Sequence, residues 1–371
     1  MIVEKLGKLI ELTKGKKHQE TNDPDSKRYI QIEDLNGNEN IKYTAEDGVY
    51  VQCDDIIIVW DGANAGKVGI GLTGIIGSTL ARMVIDKKLT FPKYLFWFLH
   101  SKFEFIKSQR TGATIPHVSN SSIQNLIIPL PPLPEQQRIA TILDHADTIR
   151  RKNREILEKY NQLAQSVFLE MFGDVIRNPK KWQKKQLGNL CEIRRGASPR
   201  PINDFYGGSV PWIKIGDGTV GSDIYIESTK DTITEEGAKK SVLLEPGTLI
   251  FANCGVSLGF ARILKIRGCI HDGWLSLEKI NELIINKIYL LKLINSISNY
   301  LRKSAPEGTQ PNLNTGIMKR FEIPVPPIIL QNSFAESIVH IEKQKNLIQT
   351  SINKSEKLFE SLLQMAFKGE L

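Results

Sequence analysis

The sequence predicts an α+β fold in which two globular blocks, related by pseudo-two-fold symmetry, are separated by an antiparallel two-helix coiled coil. Three observations carry this. A proline-rich stretch running into a helical pattern, "IIPLPPLPEQQRIATIL" (Ile127–Leu143), recurs 195 residues later as "EIPVPPIILQNSFAESI" (Glu322–Ile338). After each copy, apolar residues recur at alternating steps of four and three, the seam of a coiled coil. Before each copy, short apolar runs are broken by Gly, Asn and Asp, as strands joined by turns are.

Composition bounds the reading. With 371 residues, 41% of them hydrophobic, the chain can bury two or three cores. Its four cysteines (Cys53, Cys191, Cys254, Cys269) have neither zinc-ribbon nor disulfide-framework spacing, so they read as reduced, packed thiols. The N-terminal "MIVEKLGKLI" carries charges where a signal peptide needs an apolar core, and no run approaches a membrane span. A soluble, cytoplasmic protein with no membrane partner is expected. The net charge of +8 is uneven: +1 over residues 1–133 (16 Lys and Arg against 15 Asp and Glu) and +7 over residues 173–327 (22 against 15). Residues 134–172 (6 against 6) and 328–371 (5 against 5) are neutral. An anionic partner is therefore expected at the blocks and an apolar one at the helices.

The repeat sets the domain boundaries. Shifted by 195, Tyr94-Leu95 meets Tyr289-Leu290, Ser101 meets Ser296, Thr114 and Pro116 meet Thr309 and Pro311, and Gln136 meets Gln331. Nearer the start, Leu6-Gly7 and Gly15 pair with Leu187-Gly188 and Gly196 at an offset of 181, so the second copy has gained 14 residues, expected in loops. The chain divides into a first block (1–133), a first rod (134–172), a second block (173–327) and a second rod (328–371). Within the blocks, Ile56–Val59 and Thr248–Phe251 read as strands, and one helix is expected over Tyr94–Lys107 and again over Tyr289–Lys303. The first rod's stripe is Ile139, Leu143, Ala146, Leu157, Tyr160, Ala164, Val167 and Met171. The second is Phe334, Ile338, Ile341, Ile348, Ile352, Phe359, Leu362 and Ala366. A single amphipathic helix usually packs on its own block. At about 38 residues, roughly 57 Å long, these rods outrun their blocks, and antiparallel pairing buries both stripes.

The pattern resembles the DNA-sequence-specificity subunits of Type I restriction-modification systems. The likeness rests on "IPLPPLPEQQRIA" (Ile128–Ala140), its echo "IPVPPIILQNSFA" (Ile323–Ala335), the block openings "KLGKLIELTKG" and "QLGNLCEIRRG", and the two "YL" helices. It implies two target-recognition domains, each reading half of a split site in double-stranded DNA. It also implies conserved spacer helices that dock two methyltransferase subunits and, in the full complex, restriction subunits. Carried onto this chain, docking falls on Pro131, Pro134, Gln136, Gln137 and Arg138, and on Pro326, Pro327 and Gln331. Ile329-Leu330 stand where Pro134-Glu135 stand in the first motif, so the two junctions need not dock equivalently.

Enzyme signals are weak. An Asp/Asn-Pro-Pro-Tyr/Phe methyltransferase loop is absent from the sequence. "GIGLTG" matches a dinucleotide fingerprint but precedes strand-like Ile75-Ile76. "GANAGKV" (Gly62–Val68) imitates a phosphate loop with one residue too few and Val68 in place of the metal-binding hydroxyl. The six histidines form no metal-like spacing, and His145 and His340 are expected beside the seam. No cofactor, metal or catalytic residue is predicted. A non-enzymatic DNA reader and scaffold is the first reading. An RNA-binding or structural coiled-coil protein, and an enzyme with an unrecognised site, are the alternatives.

DNA contacts are expected at the block openings, Lys14, Lys16, Lys17 and His18 in the first and Arg194, Arg195 and Arg200 in the second. Such loops are often merely solvated. "YIQIED" and "WIKIGD" align Gln31 with Lys214, chemistry that reads adenine or guanine edges in the major groove. Asn64 and Lys67 on the glycine turn join them, with Arg110, Thr114 and His117 before the first proline motif and Gln310, Asn312 and Asn314 before the second. A loop Asn more often caps a turn than reads a base.

Overall fold

The computed structural model describes residues 2–23, 25–37, 40–111, 116–255, 257–304 and 312–371. Packing divides the chain into two compact units, Met1–Arg154 with Thr350–Leu371, and Glu155–Gln349. Each unit therefore owns part of both rods.

The strands of the first unit are β1 (Ile2–Lys5), β2 (Ile10–Lys14), β3 (Lys27–Ile30), β4 (Lys42–Thr44), β5 (Tyr50–Val51), β6 (Ile56–Val59), β7 (Val68–Gly69), β8 (Gly74–Ile76), β9 (Leu80–Ile85) and β10 (Ile127–Leu130). Its helices are α1 (Pro92–Ser101), α2 (Phe103–Ser108), α3 (Asn120–Gln124) and the start of the first rod, α4 (Leu133–Phe172). One sheet runs β2-β9-β6-β7 and the other β4-β3-β8-β5, in which β3 and β8 are parallel. The ribbon β1·β10 ties the end of the block to its beginning.

The second unit repeats this plan with β11 (Lys184–Gln186), β12 (Glu192–Arg195), β13 (Tyr206–Ile213), β14 (Tyr225–Ile226), β15 (Asp231–Ile233), β16 (Val242–Leu244), β17 (Leu249–Ala252), β18 (Ala261–Leu264), β19 (Gly268–Ile270), β20 (Trp274–Glu278) and β21 (Glu322–Pro324). Its helices are α5 (Glu235–Lys239), α6 (Lys287–Ser296), α7 (Ser298–Ser304), α8 (Thr315–Arg320) and the second rod, α9 (Ile328–Lys368). The sheets are β12-β20-β17-β18-β14 and β15-β13-β19-β16, with the ribbon β11·β21. Only β14 and α5 lack counterparts among the named elements of the first unit. The extra residues of the second copy thus build an edge strand and a short helix, where loops alone were expected. Asp223, just before β14, pairs with the buried Lys345 on α9, which anchors the addition.

One helix was expected near Tyr94 and near Tyr289, and each is two. The break falls at Lys102 and at Ile297, and the reason is the glycine turn below. The second short helix turns back so that Ile106 fills the space over Gly66, where a Cβ would come within 2.9 Å of it. In the second copy the backbone at Ser298 comes equally close to Gly259, at 2.9 Å.

The rods form helices of 40 and 41 residues. In the first unit Arg150 bonds Glu356 at 3.2 Å and Asn153 bonds Ser351 at 3.1 Å, so numbers rise along α4 as they fall along α9. The pairing is antiparallel. In the second unit Phe168 and Phe172, near the end of α4, meet Phe334, near the start of α9, at ring distances of 5.5 and 5.1 Å. Both phenylalanines were missed in the predicted stripe, which instead named Val167 and Met171, flanking residues that are only half-buried. Each block is completed by the other copy's rod. Phe359 and Phe367 of α9 pack on Trp97 and Tyr94, at 5.4 and 5.3 Å, and Phe172 of α4 packs on Tyr289 at 4.6 Å. His145 and His340 are exposed on the rods.

The proline motifs are locked from inside. Tyr94 donates its hydroxyl to the Pro129 carbonyl at 2.8 Å, and Tyr289 does the same to Pro324 at 2.9 Å. Gln136 accepts from the Phe91 amide at 2.9 Å and donates to the Leu89 and Pro131 carbonyls at 3.0 and 2.9 Å. Gln331 repeats all three bonds, with Asn286, Ile284 and Pro326, at 2.9, 3.1 and 2.7 Å. Both glutamines are buried, with 1% and 0% exposure, which corrects their placement among partner contacts: they satisfy backbone groups that the prolines and the helix start leave without partners.

Candidate nucleic-acid interface

The glycine turn after β6 and β17 is built identically in both units. Trp60 and Asn253 donate their amides to Thr79 and Gly273 at 2.7 and 3.0 Å, and receive bonds from Val118 and Leu313, both at 2.9 Å. Gly66 and Gly259 bond back to Val59 and Ala252 at 2.8 and 2.9 Å. Gly62, Gly66, Gly255 and Gly259 all sit at positive φ, between 72° and 101°, which glycine adopts without strain. These are glycine-supported turns, and "GANAGKV" is one of them. Beside them, Gly15 and Gly196 let the chain leaving β2 and β12 run against the residue that follows β8 and β19, where a Cβ would lie 2.3 and 2.2 Å from the carbonyl oxygens of Gly77 and His271.

In the first unit this backbone gathers several of the predicted residues. Lys14 donates to Asp61 at 2.7 Å, and His117 bonds the other oxygen of the same carboxylate at 2.5 Å. Burial opposes ionisation of Asp61, but hydrogen bonds from Lys14 and His117 outweigh it and hold its pKa below the ordinary carboxylate value. Asn64 is exposed at the tip of the turn and Lys67 half-buried behind it. Arg110 donates to the carbonyls of Ala63 and Lys107, at 3.0 and 2.9 Å, and so clamps the turn to α2. Gln31 lies over Gly77, whose carbonyl faces Gly15. Lys16 and Lys17 are exposed, whereas His18 is buried against Glu46 at 3.0 Å, which corrects its place among the loop contacts. Thr114 and Gln310 lie outside the described residues.

In the second unit the predicted basic residues are largely held by carboxylates. Arg194 grips Glu278 with two bonds of 3.1 Å. Arg195 donates to the Asp272 carbonyl at 3.0 Å, and Arg200 lies 3.7 Å from the Asp272 carboxylate with 81% of its side chain exposed. Burial works against an ionised Asp272, yet Ser198, His271 and Arg195 together keep its pKa low. Burial lowers the pKa of His271, and Lys214, Arg200 and Arg195 add to the effect. Lys214 pairs with Asp231 beneath the Tyr206 ring. Asn312 accepts from Asn253 at 3.1 Å, and Asn314 caps α8 through the Ile317 amide at 3.0 Å. Arg194, Lys214, Asn312 and Asn314 are thus committed to intramolecular partners, as short loop side chains and charges beside strands tend to be. Asp61, Asp272 and Cys254 were missed: two carboxylates and a thiol carry no signal in a search for basic and amide side chains.

Among the described residues no group of His, Cys, Asp and Glu could hold a metal ion. "GIGLTG" forms a turn between β7 and β8 with a strand, not a helix, after it. No helix among the described residues is long and apolar enough to cross a membrane.

Two copies of one mixed unit, with different polar side chains on the same turn and two long helices shared between the copies, define a protein built by internal repetition. The chain belongs to the family of the Type I restriction modification DNA specificity domain, whose model matches residues 2–159 and 179–357. It is 25% identical to the Type I restriction enzyme MjaVIII specificity subunit of Methanocaldococcus jannaschii, over 100% of this chain and 92% of that one. It is 24% identical to the HindI specificity subunit of Haemophilus influenzae, over 78% and 80%. The crystal structure of the Type-I restriction-modification system S subunit from M. genitalium has the same fold, with a TM-score of 0.65 at 17% identity over 99% of this chain and 96% of that one. A structure from work on complex assembly and conformational transition of the type I R-M system matches with a TM-score of 0.60 at 17% identity, over 100% and 98%.

Proposed function

We propose that the chain is the non-catalytic, cytoplasmic DNA-reading subunit of a Type I restriction-modification system. Each unit reads one half of a bipartite site, and the rods scaffold two methyltransferase subunits and, in the full complex, restriction subunits. The observation that carries this reading is the doubled turn: one backbone, two sets of side chains, as a protein reading two different half-sites needs. Lys16, Lys17, Asn64, Arg195 and Arg200 supply contacts to phosphates and bases around it. For docking, Pro131, Pro134, Gln137 and Arg138 remain accessible at the first junction, and Arg138 is braced by Glu135 at 2.7 Å. At the second, Pro326 is buried, Pro327 is exposed, and Ile329 stands 80% exposed where the first has Pro134. Selection of the purified chain on random duplex DNA tests the reading. A recovered pair of fixed half-sites separated by an unselected spacer supports it. Recovery without sequence preference, or preferential binding of RNA, favours the alternative of an RNA-binding or structural coiled-coil protein.

A further inference from the structure

The side chains on the doubled turn differ at three matched positions. Residues 61 and 117 form an isolated backbone bridge in the first unit, and residues 254 and 312 form its counterpart in the second. Lys14 and Arg195 end the matched strands β2 and β12 just before Gly15 and Gly196. The first unit therefore carries ammonium, carboxylate and imidazole where the second carries guanidinium, thiol and carboxamide.

We infer that Lys14, Asp61 and His117 form one base-reading element of the first unit, that it takes the major-groove edge of adenine, and that Asp61 is its positioning residue. This rests on the proposed function. The two donors are about half exposed, at 48% and 45% of their side chains, while Asp61 between them is 16% exposed. Asp61 therefore does not meet DNA first; it aims the other two. An ionised carboxylate can only accept, so the imidazole nitrogen facing it, Nδ1, must carry the proton. In the neutral ring Nε2 is then an acceptor, and Lys14, on the other oxygen of the same carboxylate, adds an ammonium donor. Adenine alone among the bases presents an amino donor next to a ring-nitrogen acceptor in the major groove. The second unit has Arg195, Cys254 and Asn312 at these positions, with the Asn312 oxygen taken by Asn253 and the nearby Asp272 carboxylate bonded by Ser198, so it does not repeat the carboxylate–imidazole pair.

The test is selection on random duplexes by the full chain and by its variants Asp61→Asn and His117→Ala. A carboxamide at 61 can turn its NH₂ toward Nδ1, which reverses the tautomer and makes Nε2 a donor. The expected result is that Asp61→Asn loses its preference for adenine at one position of one half-site by about tenfold and gains guanine there. The other half-site should stay unchanged. His117→Ala should lose preference at that same position alone. Wild-type half-sites returned by both variants overturn the inference, as does a changed position that is not adenine in the parent. If Asp61→Asn loses both half-sites together, the result for His117→Ala decides. Absence of any bipartite site for the parent chain instead overturns the proposed function itself.

Discussion

Replacing Gln136 by Ala tests whether the proline junctions are held from within. The side chain is 1% exposed and serves three backbone groups, the Phe91 amide and the Leu89 and Pro131 carbonyls. Alanine admits no substitute partner at a site this closed. Each lost bond contributes about 1 kcal/mol net, with more where a buried group is left unsatisfied, so the total should be about 3 kcal/mol. For a unit of this size that is a fall in melting temperature of roughly 6–12 °C. Differential scanning calorimetry of the full chain is the assay, with Gln331→Ala as the matched variant, because it breaks the same three bonds in the second unit. Gln136→Glu should be no better than Ala, since a carboxylate cannot donate to the two carbonyls. The exposed neighbour Gln137→Ala should stay within about 0.5 kcal/mol of the parent. A loss under about 1 kcal/mol for Gln136→Ala would refute the reasoning, by showing that water or backbone adjustment serves those groups equally well.

Further consequences concern charge and rod exchange. Replacing Arg195 and Arg200 by Ala should flatten the slope of log K against log salt by about 1.8, at 0.9 per phosphate contact, measured by fluorescence anisotropy on a random duplex. Lys14→Ala should flatten it less than Lys16→Ala, because Asp61 already takes up the Lys14 charge; equal slopes contradict this. A fragment of residues 1–172 lacks Phe359 and Phe367, which cover Trp97 and Tyr94. Its own Phe172 occupies the place in the repeat that Phe367 holds in the second copy, so the fragment should form a symmetric dimer through exchanged rods. A folded monomer in sedimentation would contradict that.

The repeat carried most of the fold. Prolines and glutamine at a constant offset located both junctions, because a helix start without amide donors needs those residue types. The turn at Gly62 and Gly66 was legible for a similar reason, since positive φ selects glycine. Other features depend on contacts far apart in the chain. Phe168 and Phe172 face a block from the other copy, so a two-residue heptad stripe along α4 could not contain them. The breaks at Lys102 and Ile297 answer to glycines about 36 to 38 residues earlier, not to any local helix breaker. At the site, basic residues were visible as residues, but their counter-charges were not: Glu278, Asp231 and Asp272 come from strands and turns distant in sequence. Asp61 escaped notice because a lone Asp before Gly reads as an ordinary turn residue.

The central claim is that two units on shared rods read two half-sites as one target. Inserting seven residues after Asn153 and seven after Thr350 keeps the four-three phase on both helices, because these points face each other across the seam. Each rod grows by about 10.5 Å, or roughly 3 base pairs of duplex at 3.4 Å per step. The measurement is selection of this double insertion on random DNA beside the parent chain. Unchanged half-sites with a spacer longer by about 3 base pairs, within one either way as the duplex twists to follow, are the predicted result. The original spacer, or new half-site sequences, would contradict the account.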